Sequence, residues 1–291
     1  MNTFWLDMLG GEVRYYQAGG IRTRVLEAGT GPPLLLLHGT GGHAESFIRN
    51  IVPLGAHFHV YALDLVGHGF SDKPPLDYTP RDYAAHVVAF LDAIGAQQAH
   101  LNGESLGGWV ALWVALEHPE RVGRLVLNTT AGLKLSAAQL VVPPQRAEMA
   151  RLTRAAVEQP SPETVRARLE WLVKDKTLIT DELVATRLRI YQQPATQRVM
   201  PRILAGAALG QGAEQNPYVI TPERLRQVPH PTLVLWTSDN PGMSWQEARA
   251  AAALLPRGQF HLLRDCAHWP QYEVAAEYNR LVTRFLLDQG L

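Results

Sequence analysis

The sequence predicts an α/β fold: a mostly parallel sheet with helices on both faces and a helical insertion in the second half of the chain. Three observations carry this. Short apolar runs alternate with helical spacing from Pro33 to Asn128. The alternation stops near Leu133, gives way to helical patterns alone, and resumes at Thr232. A glycine-framed serine, Gly103-Glu104-Ser105-Leu106-Gly107-Gly108, joins a strand-like run to a helical one. Strands alternating with helices imply right-handed crossovers and a sheet covered on both sides. Ligands in such sheets bind beyond the carboxyl ends of the strands.

Composition narrows the class. The chain has 291 residues, 46% of them hydrophobic, which suffices for a large core and argues against disorder. Lys+Arg and Asp+Glu are 27 each, with no basic stripe, so nucleic acid and membrane surfaces are poor candidate partners and a small-molecule substrate is favoured. A single cysteine, Cys266, excludes an internal disulfide and fits a reducing compartment. The start of the chain lacks the basic segment and long apolar run of a signal peptide, and Pro32–Leu37 is too short to span a bilayer. A cytoplasmic protein is the expectation. The sequence does not set the oligomeric state, and a homo-oligomer stays open.

Taken in order, Glu12–Gln17 and Ile21–Glu27 alternate around Gly19-Gly20 and predict an antiparallel hairpin. Pro33–Leu37 is apolar throughout, as a strand buried on both faces requires. His38-Gly39-Thr40-Gly41-Gly42 follows, then a helix near 44–54 and a strand at Phe58–Leu63. The loop from Asp64 to Asp72 is punctuated by glycines. Thr79-Pro80 opens a helix running to Ile94. Gln98–Asn102 leads into the glycine-framed serine and its helix, and Arg124–Asn128 is the next strand. Helices are expected over 146–158, 162–173 and 180–192. Strand, helix and strand return at Thr232–Trp236, Trp245–Leu255 and Gln259–Leu263, and a helix from Ala275 closes the chain. The division is a core of residues 1–132 and 217–291 with a helical cap of residues 133–216.

The chemistry centres on Ser105. Gly-x-Ser-x-Gly between a strand and a helix is a nucleophile elbow, which lifts the hydroxyl clear of the sheet beside a helix N-terminus. A serine hydroxyl needs a base. Of eleven histidines, His268 is chosen because it follows the last strand in Asp265-Cys266-Ala267-His268-Trp269-Pro270. His38 is expected to brace the loop that it opens. The base needs an acceptor to fix its tautomer. Asp239, the only carboxylate in Trp236-Thr237-Ser238-Asp239-Asn240-Pro241, is the predicted acid. Backbone N–H groups of Leu106 and Thr40 are the predicted oxyanion hole. No spacing of His, Cys or acidic residues suggests a metal site.

These residues together resemble an α/β-hydrolase over nearly the whole chain: oxyanion loop, Asp-x-x-Gly-x-Gly-x-Ser loop, elbow, cap and terminal histidine. Within that superfamily the chain is most similar to the meta-cleavage product hydrolases. Two stretches carry this: His268-Trp269-Pro270-Gln271-Tyr272-Glu273 with Glu277-Tyr278-Asn279-Arg280-Leu281, and Leu178-Ile179-Thr180-Asp181-Glu182-Leu183 followed by Arg187. The resemblance implies an α/β-hydrolase fold with an eight-stranded sheet and a helical cap. It implies hydrolysis of a carbon–carbon bond in a 2-hydroxy-6-oxohexa-2,4-dienoate during aromatic catabolism, with no cofactor. It further implies that Arg187 faces the substrate carboxylate and that Trp269 lines the site, with Gly41, Gly42 and Glu104 as further substrate contacts. Two departures stand out. Glu104 occupies the place where the family has asparagine. The family's catalytic aspartate falls on Asn240, with Asp239 beside it, so either the loop shifts to bring Asp239 to His268 or the triad is Ser-His-Asn. An esterase or lactonase on the same residues, and a silent fold that binds a ligand, are the rival readings.

Overall fold

The apolar run Pro33–Leu37 lies near the centre of the sheet, with strands on both sides, which is why it tolerates no polar residue. The fold is taken from a computed structural model that describes residues 3–135, 144–206 and 216–290. Its strands are β1 (Glu12–Ala18), β2 (Ile21–Ala28), β3 (Pro33–Leu37), β4 (His59–Leu63), β5 (Ala99–Glu104), β6 (Val122–Asn128), β7 (Thr232–Thr237) and β8 (Gly258–Leu263). They form one eight-stranded sheet in the order β1-β2-β4-β3-β5-β6-β7-β8. β1 and β2 are the predicted hairpin, and β2 meets β4 antiparallel. Every other pairing is parallel. The carboxyl ends of β3 to β8 therefore share one rim, and Thr40, Ser105, Asp239 and His268 all follow strands that end there.

Most elements lie where the sequence placed them. The helix Pro80–Ala93 opens on a capping box between Thr79 and Asp82. The helix expected near 44–54 is instead a 3-10 turn, Ala44–Phe47, and a short helix, Ile51–Gly55. Pro53 explains the break, because it has no N–H to offer the Arg49 carbonyl. Asn279 Nδ2 donates to that carbonyl instead, at 3.0 Å.

Between Leu133 and Ile220 the described residues form helices and no sheet strand. The α-helices are Pro144–Glu158, Pro162–Glu170, Asp181–Tyr191 and Pro194–Gly206, with a 3-10 turn at Lys176–Leu178. The second stops short of Val173, and the fourth, which contains Pro201, was not anticipated. The stretches 136–143 and 207–215, part of the expected cap, lie outside the described residues. The chain leaves and re-enters the core side by side, since Leu133 forms a parallel bridge with Ile220. The indoles of Trp109 and Trp113 both donate to the Tyr218 carbonyl, at 2.8 and 2.9 Å, which ties the returning chain to the elbow helix.

Three histidines, His38 and His86 buried and His100 half-buried, should give the fold a pH dependence. Burial pulls His38, His86 and His100 down to about 4 from 6.5. His86 accepts from the Val66 N–H at 3.2 Å and His100 from the Arg124 N–H at 3.0 Å, bonds available only to a neutral ring. The unfolded chain takes up these protons first, so stability is full above about 6.5 and is lost as the pH falls from there towards 4. Each group contributes up to about 1.4 kcal/mol per pH unit in that window. Urea unfolding at pH 7.5 and 5.5 should show a clearly lower midpoint at the acid value. Equal midpoints would refute this account.

Candidate active site

The site is built around a strained serine. Ser105 has φ 52° and ψ −113°, a backbone conformation that costs on the order of 1–3 kcal/mol. The strain persists because its surroundings fix it. The Ser105 N–H donates to the Asn128 carbonyl at 3.0 Å, and the Ser105 carbonyl accepts from Ala131 N–H at 3.0 Å. Two glycines make the turn sterically feasible: a Cβ at Gly107 would run into the Leu37 carbonyl, and one at Gly103 into the backbone of Gly107. Ser105 immediately precedes the helix Leu106–Glu117, which is buried on every face of its first ten residues, Leu106 to Ala115. The Leu106 N–H, at the first turn of that helix, is left without an intrahelical acceptor.

The glycine loop after β3 is braced from below. The Leu65 N–H donates to His38 Nε2 at 3.1 Å, so Nδ1 carries the proton and donates to the Gly39 carbonyl at 2.8 Å. That same carbonyl accepts from the Gly42 N–H at 2.9 Å. His38 is thus the brace that its position suggested. Asp64, fully buried, links this loop to the next one. Its Oδ1 accepts from Ala44 N–H at 2.7 Å, and its Oδ2 accepts from Phe70 N–H at 2.8 Å and from Arg24 Nη1 at 3.1 Å. Tyr191, from the helical insertion, reaches down to donate to the Gly41 carbonyl at 2.9 Å.

His268 is held by three parts of the chain. Its own N–H and that of Trp269 both donate to the Leu172 carbonyl of the insertion, at 2.9 and 3.1 Å. Thr129 Oγ1, just past β6, donates to the His268 carbonyl at 2.9 Å. The imidazole Nδ1 lies 2.8 Å from Asn240 Oδ1. Asn240 Nδ2 donates to the Met243 carbonyl at 2.9 Å, which fixes which way the amide points. With Oδ1 facing His268, Nδ1 must be the donor.

Here the structure corrects the expected acid. Asp239 does not reach His268. Its backbone N–H is pinned to the Cys266 carbonyl at 3.2 Å, which turns its side chain outward and the next residue inward. Its carboxylate accepts from Ser238 Oγ at 2.6 Å and pairs with Lys174 at 3.1 Å, and these two partners hold its pKa below the ordinary value. Asn240 stands where the acid was predicted.

The other imidazole nitrogen has a carboxylate beside it. Glu104 Oε1 lies 3.2 Å from His268 Nε2, and the Glu104 side chain is almost wholly buried. Gly39 makes room for it, because a Cβ there would meet the Glu104 carboxylate. Among the described residues, Ser105 Oγ has no hydrogen-bond partner. Such bonds commonly tighten only once substrate is bound.

Two buried arginines complete the site. Arg187 is 1% exposed, and its Nε and Nη2 have no hydrogen-bond partner. Its guanidinium carbon lies 5.4 Å from the Trp269 ring centre and 6.0 Å from that of Tyr191. Arg168, which the sequence reading passed over, is 3% exposed and has an unpartnered Nη1. Its signal was present: Val165, Arg168, Leu169 and Leu172 recur at helical spacing, so an arginine stands in an apolar stripe.

The profile of the alpha/beta hydrolase fold matches residues 32–275. The chain is 33% identical over 273 residues to the 2-hydroxy-6-oxo-6-phenylhexa-2,4-dienoate hydrolase of Burkholderia cepacia, which covers 92% of each chain. It is 32% identical over 273 residues to the 2-hydroxy-6-oxononadienedioate/2-hydroxy-6-oxononatrienedioate hydrolase of Comamonas testosteroni, again 92% of each. Among solved structures it resembles the meta-cleavage product hydrolase of Pseudomonas fluorescens IP01, with a TM-score of 0.79, 28% identity, and coverage of 98% of this chain and 100% of the other. The chain belongs to the α/β-hydrolase fold family and, within it, to the meta-cleavage product hydrolases.

Proposed function

We propose that the protein hydrolyses a carbon–carbon bond in a 2-hydroxy-6-oxohexa-2,4-dienoate, a product of aromatic ring opening, and does so in the cytoplasm. The observation that carries this is Arg187: a buried guanidinium with unpartnered N–H groups, on a tryptophan adjacent in sequence to His268. A buried cation with free donors calls for an anionic ligand, and a planar guanidinium suits a carboxylate. A simple ester offers no such group. The names of the two relatives support the same reaction class. The helices between residues 144 and 206 serve in this reading as the cap over the rim.

The residues then divide the reaction as follows. The dienol is first converted to its keto form, which makes C5 a methylene next to the C6 ketone. Ser105 Oγ attacks C6 as His268 Nε2 takes its proton. The resulting oxyanion is held by the N–H groups of Thr40 and Leu106. The C5–C6 bond breaks, and its electron pair is delocalised as a dienolate that takes the proton back from His268. Water then hydrolyses the acyl-serine, releasing a carboxylic acid beside the 2-hydroxypentadienoate. Gly41 and Gly42 let the loop approach the substrate closely, and Trp269 lines the pocket. Each time His268 becomes an imidazolium, Glu104 is the carboxylate beside it, the charge that Asn240 lacks.

The test is direct. Purified protein is given a 2-hydroxy-6-oxo-dienoate, whose conjugated colour disappears on cleavage, and a panel of aryl esters. Rapid bleaching with formation of the two acids is the expected result. Ester turnover with an untouched dienoate would overturn the reading in favour of an esterase or lactonase.

A further inference from the structure

The geometry points to a second anion site: Arg168 receives a carboxylate at the far end of the substrate, so the preferred substrate is a dienoate charged at both ends. This rests on the proposed reaction and names its substrate class. The two relatives of nearly equal identity do not choose between classes, since one is named for a phenyl group at the distal end and the other for a dioate.

Arg168 and Arg187 are arranged alike. The Arg187 guanidinium carbon lies 5.4 Å from the Trp269 ring, and that of Arg168 lies 5.5 Å from the Trp171 ring. Trp269 follows His268 in the chain, and Trp171 packs edge-to-face on the His268 ring at 5.7 Å. Each arginine therefore stands by a tryptophan tied to His268, Trp171 by ring contact and Trp269 by the chain, and the two arginines come from different helices of the insertion. Arg168 Nε donates to Thr153 Oγ1 at 2.6 Å, which fixes the guanidinium while leaving Nη1 without a partner. Among the described residues, neither arginine forms an ion pair.

A buried guanidinium without a counter-ion is costly, and a methyl end would supply nothing to offset it. Burial does lower the pKa of Arg168, to about 10, yet leaves it cationic at neutral pH. Arg187 adds to that lowering, whereas the negative charge of Glu104 offsets part of it. A second carboxylate on the substrate would supply the counter-charge that the chain withholds. Sites built for a polar group reject analogues that lack it far more strongly than apolar pockets reject a wrong shape.

Two measurements test this, one independent of turnover. In the first, kcat/KM is compared between a dienoate with a distal carboxylate and one with a distal methyl group, for the unaltered protein and for Arg168→Met. The expected preference for the dianion is about 100-fold or more, collapsing by a similar factor in the variant, largely through KM. An unaltered protein without that preference, or a preference ratio unmoved by Arg168→Met, would overturn the inference. In the second, Ser105→Ala protein is titrated with pimelate and with hexanoate. The diacid should bind at least tenfold more tightly, and Arg168→Met in the same background should remove the difference. Equal binding of the two acids sinks the inference even if dienoates are hydrolysed. Tighter diacid binding without dienoate cleavage would keep the anion site and discard the reaction.

Discussion

Replacing Ser105 by alanine is expected to lower kcat for carbon–carbon cleavage by about 10⁴-fold or more, as loss of a serine nucleophile does elsewhere. Nothing but the hydroxyl is removed, because the elbow is fixed by backbone bonds to Asn128 and Ala131 and by the packing of Gly103 and Gly107. Folding and ligand binding should therefore survive. The conversion of dienol to ketone precedes attack at C6, so a single-turnover experiment on the variant should show the starting colour change without release of the carboxylic acid. Retention of more than a tenth of the cleavage rate would mean that Ser105 is not the nucleophile.

The second large effect concerns the two sides of His268. Asn240 accepts the Nδ1 proton but offers no net charge, while Glu104 sits 3.2 Å from Nε2. If Glu104 supplies the missing charge, Glu104→Gln should reduce kcat by about 10²- to 10⁴-fold, comparable to acid-to-amide changes in serine protease triads. Asn240→Asp alone should also slow the enzyme at neutral pH. Carboxylates would then flank both nitrogens, hold the proton on the ring and withdraw the base. The double variant Glu104→Asn with Asn240→Asp moves the charge back to the Nδ1 side and should recover most of the rate. Such recovery is a coupling that no merely structural role would produce. A Glu104→Gln protein as fast as the original, or an Asn240→Asp protein faster than it, would show that Glu104 does not serve His268.

How much of this could be read from the residues varies with the physics involved. Strand β3 was legible because burial on both faces leaves an unbroken apolar run, and the elbow because a strained turn between close-packed backbones requires glycine. The position of His268 on the rim, against the turn after β7, was legible from its place after the last strand. The acid was not. Asp239 and Asn240 are neighbours in one turn, and which of them faces inward depends on a hydrogen bond from the Asp239 N–H to the Cys266 carbonyl, a partner distant in sequence. The Glu104–His268 contact was hidden for the same reason: only the fold brings the end of β5 against the loop after β8. The split helix near residue 50 could have been found, because Pro53 forbids continuity there. Arg168 was visible as a charge in an apolar stripe, but its lack of a counter-ion is a property of the assembled interior.

The neck of the insertion has a consequence for how such a protein can change over generations. Because Leu133 and Ile220 lie side by side, the insertion is, to the core, a loop whose ends are already together. Lengthening or recasting such a loop adds little closure entropy and leaves the sheet register untouched. The helices that carry Arg168 and Arg187 can therefore be rewritten by mutation while Ser105, Asn240 and their glycines stay fixed. On the proposed reaction, substrate range and bond-breaking machinery are in this sense separately heritable. Several contacts limit that independence, among them the Leu172 carbonyl on the backbone of His268, the Tyr191 hydroxyl on the Gly41 carbonyl and Lys174 on Asp239, so the stretches that carry them are the parts of the insertion least free to drift.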